Sequence, residues 1–317
     1  MNDAAHDSNQ EGGVGRIDAT GARLMRLATI ASVCVAIVLI LAKLAAAFMT
    51  GSVSLLSSLI DSLLDGFTSL VNLFAVRHAL QPADKAHRFG HGKAEPLAGL
   101  VQAAFIAGSG VFIIIEAIHR LDSGQAIQNT EIGIAVMVAS IVLTVGLVSF
   151  QNVVVKRTQS TAITADALHY RMDIMINISV IIALVVASEL GVRWVDSAIA
   201  IAIAAYIAFS SWKVARRSLD LLMDREFPDE DRDRIREIVM SHPEVRGMHD
   251  LRTRSSGIQP FIQFHLQLDP DLSLVRAHEL SHEVEAMIVN AFKGAEVIIH
   301  EDPEGYEKPH SAAATSQ

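Results

Sequence analysis

The sequence predicts a membrane-embedded, all-α bundle of six transmembrane helices followed by a small cytoplasmic α+β domain. Three observations predict it. Of the 317 residues, 51% are hydrophobic and only 5% aromatic, and the mean hydropathy of +0.36 is too high for an ordinary water-soluble domain. The apolar residues come in blocks of about 20 or more, the length that spans roughly 30 Å of hydrocarbon. From about residue 213 the composition turns polar and no further block follows.

The blocks fall at about 24–48, 53–77, 97–121, 131–155, 163–188 and 195–212. The third and fourth flank the short hydrophilic loop "HRLDSGQAIQNTE". Residues 1–22 are polar, contain Gly12-Gly13 and lack the apolar centre of a signal peptide, so they read as a disordered cytoplasmic tail. Residues 23–212 form the predicted transport-type membrane domain, 213–303 the cytoplasmic domain, and 304–317 a second disordered tail.

Basic residues in short loops orient the spans. The loop after the second span carries Arg77, Lys85, Arg88 and Lys93; the loop after the fourth carries Lys156 and Arg157; the sixth span ends in "KVARR". The opposite side has only Arg120 and Arg193, so both termini are expected in the cytoplasm. The net charge of −9 sits mostly in the C-terminal domain and tails and argues against nucleic acid as a partner. The single cysteine, Cys34, excludes a disulfide framework or a Cys-based zinc site within one chain.

The C-terminal part reads as helix (229–241), strand (245–254), strand (260–269), helix (273–292) and strand (295–300). "IQFHLQLD" alternates apolar and polar residues as a half-covered strand does. The result is a small sheet with helices on one face.

Charge inside the membrane is costly and marks function. The second span holds Asp61 and Asp65, and the fifth holds His169 and Asp173. Each pair is four residues apart and shares one helical face. At 1.5 Å per residue, the aspartates of the second span lie about 12 and 18 Å from the outer surface. His169 and Asp173 lie about 9 and 15 Å from the inner one. The four groups thus overlap near the midplane, and three carboxylates with an imidazole suit Zn²⁺ or a similar divalent ion. The absence of sulfur argues against Cu(I), and an all-oxygen set would be expected for Mn²⁺. Asn72, Gln102 and Asn177 read as helix-to-helix hydrogen-bonding groups. Glu116 and Asp196 sit near span ends, and Asp166 reads either as lining an entry path or as a solvated helix start.

Outside the membrane, Asp84, His87 and His91 in "QPADKAHRFGHGKAEP" form a candidate loop site. His249, His265, His278, His282 and His300, with Asp302, form a candidate cytoplasmic cluster. His278-Glu279-Leu280-Ser281-His282 also matches H-E-x-x-H, the helix of zinc metalloproteases. A small domain offers that motif little to bury an active site against, and an exposed amphipathic helix fits it better.

The stretches "DSLLD", "VRHALQPAD", "FGHGKAEPLAGL", "HYRMD", "LMDR", "HDLRTR" and "VIIHEDP" together resemble the cation diffusion facilitators, in particular their bacterial zinc and ferrous-iron efflux branch. The resemblance covers roughly residues 20–303. It implies a ferredoxin-like, metallochaperone-like C-terminal domain and a transport site at Asp61, Asp65, His169 and Asp173. It also implies a variable loop site at Asp84, His87 and His91, and an interfacial metal cluster at His249, His265, His278, His300 and Asp302. Lys93 and Asp224 match a charge pair tying the two domains together. His282 matches no ligand, and Glu301, between His300 and Asp302, departs from the pattern and bears on the charge of that cluster. Members of the family are lipid-embedded homodimers that exchange cytoplasmic metal for external protons. Here the resemblance implies Zn²⁺ as cargo and as regulatory ion, with Cd²⁺ or Fe²⁺ as alternative cargo. The rival expectations are a membrane metal sensor or scaffold that does not transport, and the metalloprotease.

Overall fold

The computed structural model describes residues 19–50, 53–123, 131–190, 194–257 and 259–305. The predicted tails fall almost wholly outside these residues, as do the side chains of Glu116, Arg120, Arg193 and Asp196. The described residues divide into two compact units between Met223 and Asp224.

The first unit is a bundle of long helices: α1 (Ala19–Thr50), α2 (Val53–Ala79), α3 (Ala94–Ser123), α4 (Glu131–Thr158), α5 (Thr161–Leu190) and α6 (Trp194–Leu222). Among the described residues, the stretches Ala19–Met49, Ser58–Ala79, Ala94–Ile115 and Ala135–Thr158 are long and apolar enough to cross a membrane. α6 runs on well past the predicted end of the sixth span at residue 212. The polarity of the unit is inverted relative to a soluble protein. Phe48, Phe74, Phe112, Val142, Val153 and Trp212 point outward, each more than half exposed, whereas Ser32, Ser69, Gln102, Gln151, Asp166 and His169 are buried. In water so much exposed apolar surface would aggregate; in lipid it is the favourable arrangement, and the polar groups must find partners inside. The unit is a multi-pass membrane domain. Gly99 lets α3 approach closely, because a Cβ there would lie 2.9 Å from Ser218 Oγ of α6 and 3.1 Å from Thr161 Cγ2 of α5.

Asn72 of α2 donates to the Ala162 carbonyl of α5 (3.4 Å) and Gln102 of α3 to Asp166 of α5 (3.0 Å), both between helices as the sequence suggests. Asn177 instead bonds Asp173 O of its own helix (2.8 Å), since a short amide reaches the carbonyl one turn back more readily than a neighbouring helix.

The second unit orders α7 (Asp229–Met240), β1 (Gly247–Ser256), β2 (Gln259–Leu268), α8 (Leu274–Ala291) and β3 (Glu296–Pro303). The sheet runs β1-β2-β3, with β1 and β2 antiparallel and β2 and β3 parallel. The parallel return is made by α8, whose N-cap Ser273 accepts the Arg276 amide (3.3 Å). Leu280, Val284 and Ile288 recur every four residues on one face of α8 and are fully buried against Ile262, Phe264 and Leu266 of β2 and Ile235 and Val239 of α7. Truncating the centre of that stripe, Leu280→Ala, is expected to destabilise the unit by about 2–5 kcal/mol, read as a lowered unfolding midpoint of the full-length protein, whereas the exposed Leu274→Ala should change it by less than about 0.5 kcal/mol.

Candidate metal centres

Among the described residues, three groups of side chains, each with ligand atoms within 4.8 Å of one another, have the chemistry to hold a divalent ion: Asp65, His169 and Asp173; Asp84, His87 and His91; and His249, His265 and Asp302.

The first lies inside the membrane unit. Asp65 comes from α2, and His169 and Asp173 come from α5. His169 Nε2 lies 2.8 Å from Asp65 Oδ1. The imidazole is almost fully buried, and its Nδ1 has no partner. A buried, unpaired ring nitrogen beside two carboxylates has a donor set that suits a cation. Asp61, one turn before Asp65, is exposed and stands outside this group of three. Sequence reasoning overlooked Lys43, a cation within the first span, although an ionisable residue at such depth is itself a signal. Its Nζ donates to Ser62 Oγ (2.6 Å) and to Ser58 O (3.3 Å), bringing a positive charge to the face of α2 that carries the aspartates.

Asp166, left open between an entry path and a solvated helix start, is neither solvated nor at the surface, being 1% exposed. The bundle closes over it because α1, α3 and α4 each supply a hydrogen-bond donor to its carboxylate.

The second group is the loop between α2 and α3. Asp84 Oδ1 accepts the backbone N–H groups of His87 (2.6 Å) and Ala86 (2.8 Å), an Asx turn that closes the loop on itself. His91 Nε2 then lies 3.4 Å from Asp84 Oδ2, and the His87 and His91 rings are 4.5 Å apart. His91 is buried, with Nδ1 unpartnered, while Asp84 and His87 are exposed. His78, at the end of α2, packs edge-on against His91 at 4.5 Å and was not foreseen. The backbone N–H groups of His87 and Ala86 hold the Asp84 carboxyl below the usual aspartate range. The turn is therefore fully present above the ordinary pKa of about 3.9 and is lost as pH falls through the lower folded value. The side-chain carboxyl carbon resonance of Asp84 should show its own titration only below about pH 4.

The third group lies in the cytoplasmic-type unit and is made by strand register. His249 of β1 pairs across from His265 of β2, and His265 pairs across from His300 of β3, so three imidazoles line up across the sheet. Asp302, two residues beyond His300 and thus on the same face, gathers them. Its carboxylate lies 2.7 Å from His265 Nδ1, 3.4 Å from His249 Nε2 and 3.3 Å from His300 Nε2. A bulge between His249 and Arg252, with Asp250 at φ 48°, turns Asp250 to within 3.8 Å of His265 Nε2. Asp250 was not among the expected residues. His249 Nδ1 is buried without a partner, the mark of a donor available to an ion. Glu301 faces the other way, accepting a hydrogen bond from Ser281 of α8 (2.7 Å), so its charge does not enter the cluster from this chain.

His278 lies apart from that group, on α8, its ring edge-on to His282 at 4.5 Å. The other parts of the H-E-x-x-H motif are committed elsewhere. Glu279 pairs with Arg276 (3.3 Å), and His282 with Glu285 (3.0 Å). Lys93 and Asp224 fall in different units; Lys93 Nζ donates to Leu222 O (3.4 Å) in one, and Asp224 lies 3.6 Å from Arg254 in the other.

Comparison with known proteins bears on what these groups serve. The family described as "Cation efflux transmembrane domain" matches residues 29–223, and "Cation efflux protein, cytoplasmic domain" matches residues 227–304. A protein of Serratia proteamaculans named cation-efflux pump FieF is 45% identical over 282 residues, 89% of this chain and 94% of that one. The FieF of Yersinia enterocolitica is 45% identical over 287 residues, 90% of this chain and 95% of its own. The solved cytosolic domain of a cation diffusion facilitator family protein matches at 28% identity, covering 24% of this chain and 92% of its own, with a TM-score of 0.23. Matched across both units and by relatives of nearly the same length, the chain belongs to the cation efflux, or cation diffusion facilitator, family of membrane transporters and is not an enzyme.

Proposed function

We propose that this protein exports a divalent metal cation across the bacterial cytoplasmic membrane in exchange for protons, with zinc as the principal cargo and cadmium or ferrous iron as alternatives. The observation that carries the reading is the convergence of Asp65 and Asp173, both half-buried, and the buried His169 from two helices within one group. A sensor or scaffold needs no ligands at the membrane midplane. The relatives' name, cation-efflux pump, supports the same direction of transport. Asp61 is the fourth ligand, joining from the next turn of α2. All six helices cross the membrane, both termini lie in the cytoplasm, and the C-terminal unit is a ferredoxin-like domain.

The chemistry follows from competition for the same ligands. Open to the cytoplasm, the site loses its protons and takes the metal, because ligation requires the neutral imidazole and ionised carboxylates. Open to the outside, protons compete for those ligands and the metal leaves. His169 is the natural carrier, since imidazole titrates near neutral pH. The inward proton gradient then drives metal out.

The protein works as a homodimer. Zn²⁺ held by His249, His265, His300 and Asp302, with His278 contributing, tightens the dimer and favours the transporting conformation by differential affinity. Asp84, His87 and His91 form a further metal site, and Lys93 with Asp224 ties the membrane and cytoplasmic domains together. The test is zinc uptake into proteoliposomes under an imposed pH gradient. Parental protein should accumulate zinc, and Asp65→Ala protein should not; equal uptake by the two would remove the site from the mechanism.

A further inference from the structure

We propose that Asp166 is a proton-binding site of the transport cycle, separate from the metal ligands; the inference rests on the metal–proton exchange described above. Asp166 Oδ1 accepts from Gln102 Nε2 of α3 (3.0 Å), and its Oδ2 accepts from Ser32 Oγ of α1 (2.5 Å) and Gln151 Nε2 of α4 (2.6 Å). Four helices thus meet at one carboxyl group. No Lys or Arg among the described residues bonds to it. His169 of its own helix acts on it, and it acts in turn on Tyr170. Among the described residues, α1, α3 and α4 bond to it through Ser32, Gln102 and Gln151 alone, and α2 and α6 give it no hydrogen bond or ion pair.

The hydrogen-bond count around Asp166 is short of donors. Ser32 has a single hydroxyl hydrogen but two acceptors, Asp166 and the Ala28 carbonyl at 3.2 Å. Gln151 Nε2 also reaches Ser32 Oγ (2.9 Å). Gln102 Oε1 and Gln151 Oε1 are buried with no partner at all, although nearly every buried acceptor in a folded protein has one. A hydrogen on Asp166 supplies one of the missing donors. Its O–H donates to Ser32 Oγ, whose own hydrogen turns to Ala28 O, or an amide rotation presents a glutamine oxygen to it. When that hydrogen leaves, the donors already in place hold the carboxylate. The pocket is furnished for both states, and the group that converts one into the other is a proton.

Its occupancy answers to the metal site. His169 is three residues along α5, a neighbour on the helix surface about 5–6 Å away at Cβ, yet no hydrogen bond or ion pair joins it to Asp166. A cation arriving among Asp65, His169 and Asp173 acts on Asp166 through space and favours loss of its proton; departure of the cation favours its return. In each cycle the O–H bond forms with a proton from the outside water and breaks with release to the cytoplasm, so Asp166 adds a second proton to the exchange.

The experiment counts protons released per zinc bound by the full-length protein in lipid nanodiscs, with a pH-sensitive dye in weakly buffered solution. Asp166→Asn, which keeps the shape and most of the hydrogen bonds, should still bind zinc but release one proton fewer per ion. The infrared band of a buried carboxylic acid that disappears when zinc is added to the parent should be missing from the variant. Equal proton release in parent and variant would overturn the assignment while leaving metal–proton exchange intact. A parent that releases no protons would instead overturn the exchange on which the inference rests. Should Asp166→Asn fail to fold, Ser32→Ala and Gln102→Leu keep the carboxyl and each remove a donor that supports its ionised form. Both should release fewer protons per zinc at a given pH, and release unchanged from the parent would again overturn the assignment.

Discussion

His169→Ala is expected to lower proton-driven zinc flux by more than about 100-fold, because loss of even an outer-shell partner costs 10–100-fold in metal sites. His169 is the one nitrogen donor of the buried group, and its Nε2 lies 2.8 Å from Asp65. Without it, Asp65 and Asp173 face each other across a cavity with neither the imidazole nor its proton. His169→Gln, which restores bulk and a hydrogen bond but no titrating group, should rescue folding and not flux. Measured by zinc entry into proteoliposomes, flux within a few-fold of the parent for either variant would show that the imidazole is not part of the transport site.

Asp302→Ala is expected to strip the cytoplasmic cluster of metal while sparing the membrane site. Its carboxylate lies within 3.4 Å of a nitrogen of each of His249, His265 and His300, so its removal leaves three imidazoles with only Asp250, 3.8 Å from His265, beside them. Zinc binding attributable to this cluster should weaken by at least about 10–100-fold. Calorimetry and metal analysis of the purified protein should find fewer tightly held ions per chain. Flux at saturating zinc should survive, while the zinc concentration needed to reach it rises. Unchanged metal content would remove Asp302 from the ligand set, and loss of flux at saturating zinc would mean that the cluster is required for transport itself.

Much of this arrangement was legible in the chain. Long apolar blocks specify helices whatever surrounds them, and four-residue spacing fixes which side chains share a face, so Asp65, His169 and Asp173 follow from periodicity and depth. Helical spacing alone does not distinguish Asp61 from Asp65. One turn apart on α2, they differ only in how that helix is rotated against α5, and only Asp65 reaches the imidazole. The cytoplasmic cluster was legible as a set of residue types but not as an arrangement. His249, His265 and His300 align because of strand register and a bulge at Asp250, and register depends on pairings between residues far apart in sequence. Asp166 was misleading for a related reason. Its position near the start of α5 suggests solvent, but burial there is decided by three other helices that supply Ser32, Gln102 and Gln151.

The central claim is that the buried ligands exchange metal for protons. It is tested most directly by following both ions at once in proteoliposomes containing the purified protein, zinc by a trapped fluorophore and pH by a trapped dye. With zinc outside and no imposed gradient, zinc entry should be accompanied by proton exit, the two rates rising together with zinc concentration and both vanishing in His169→Ala. Zinc entry with no change in internal pH, or coupled fluxes that persist in His169→Ala, would contradict the account.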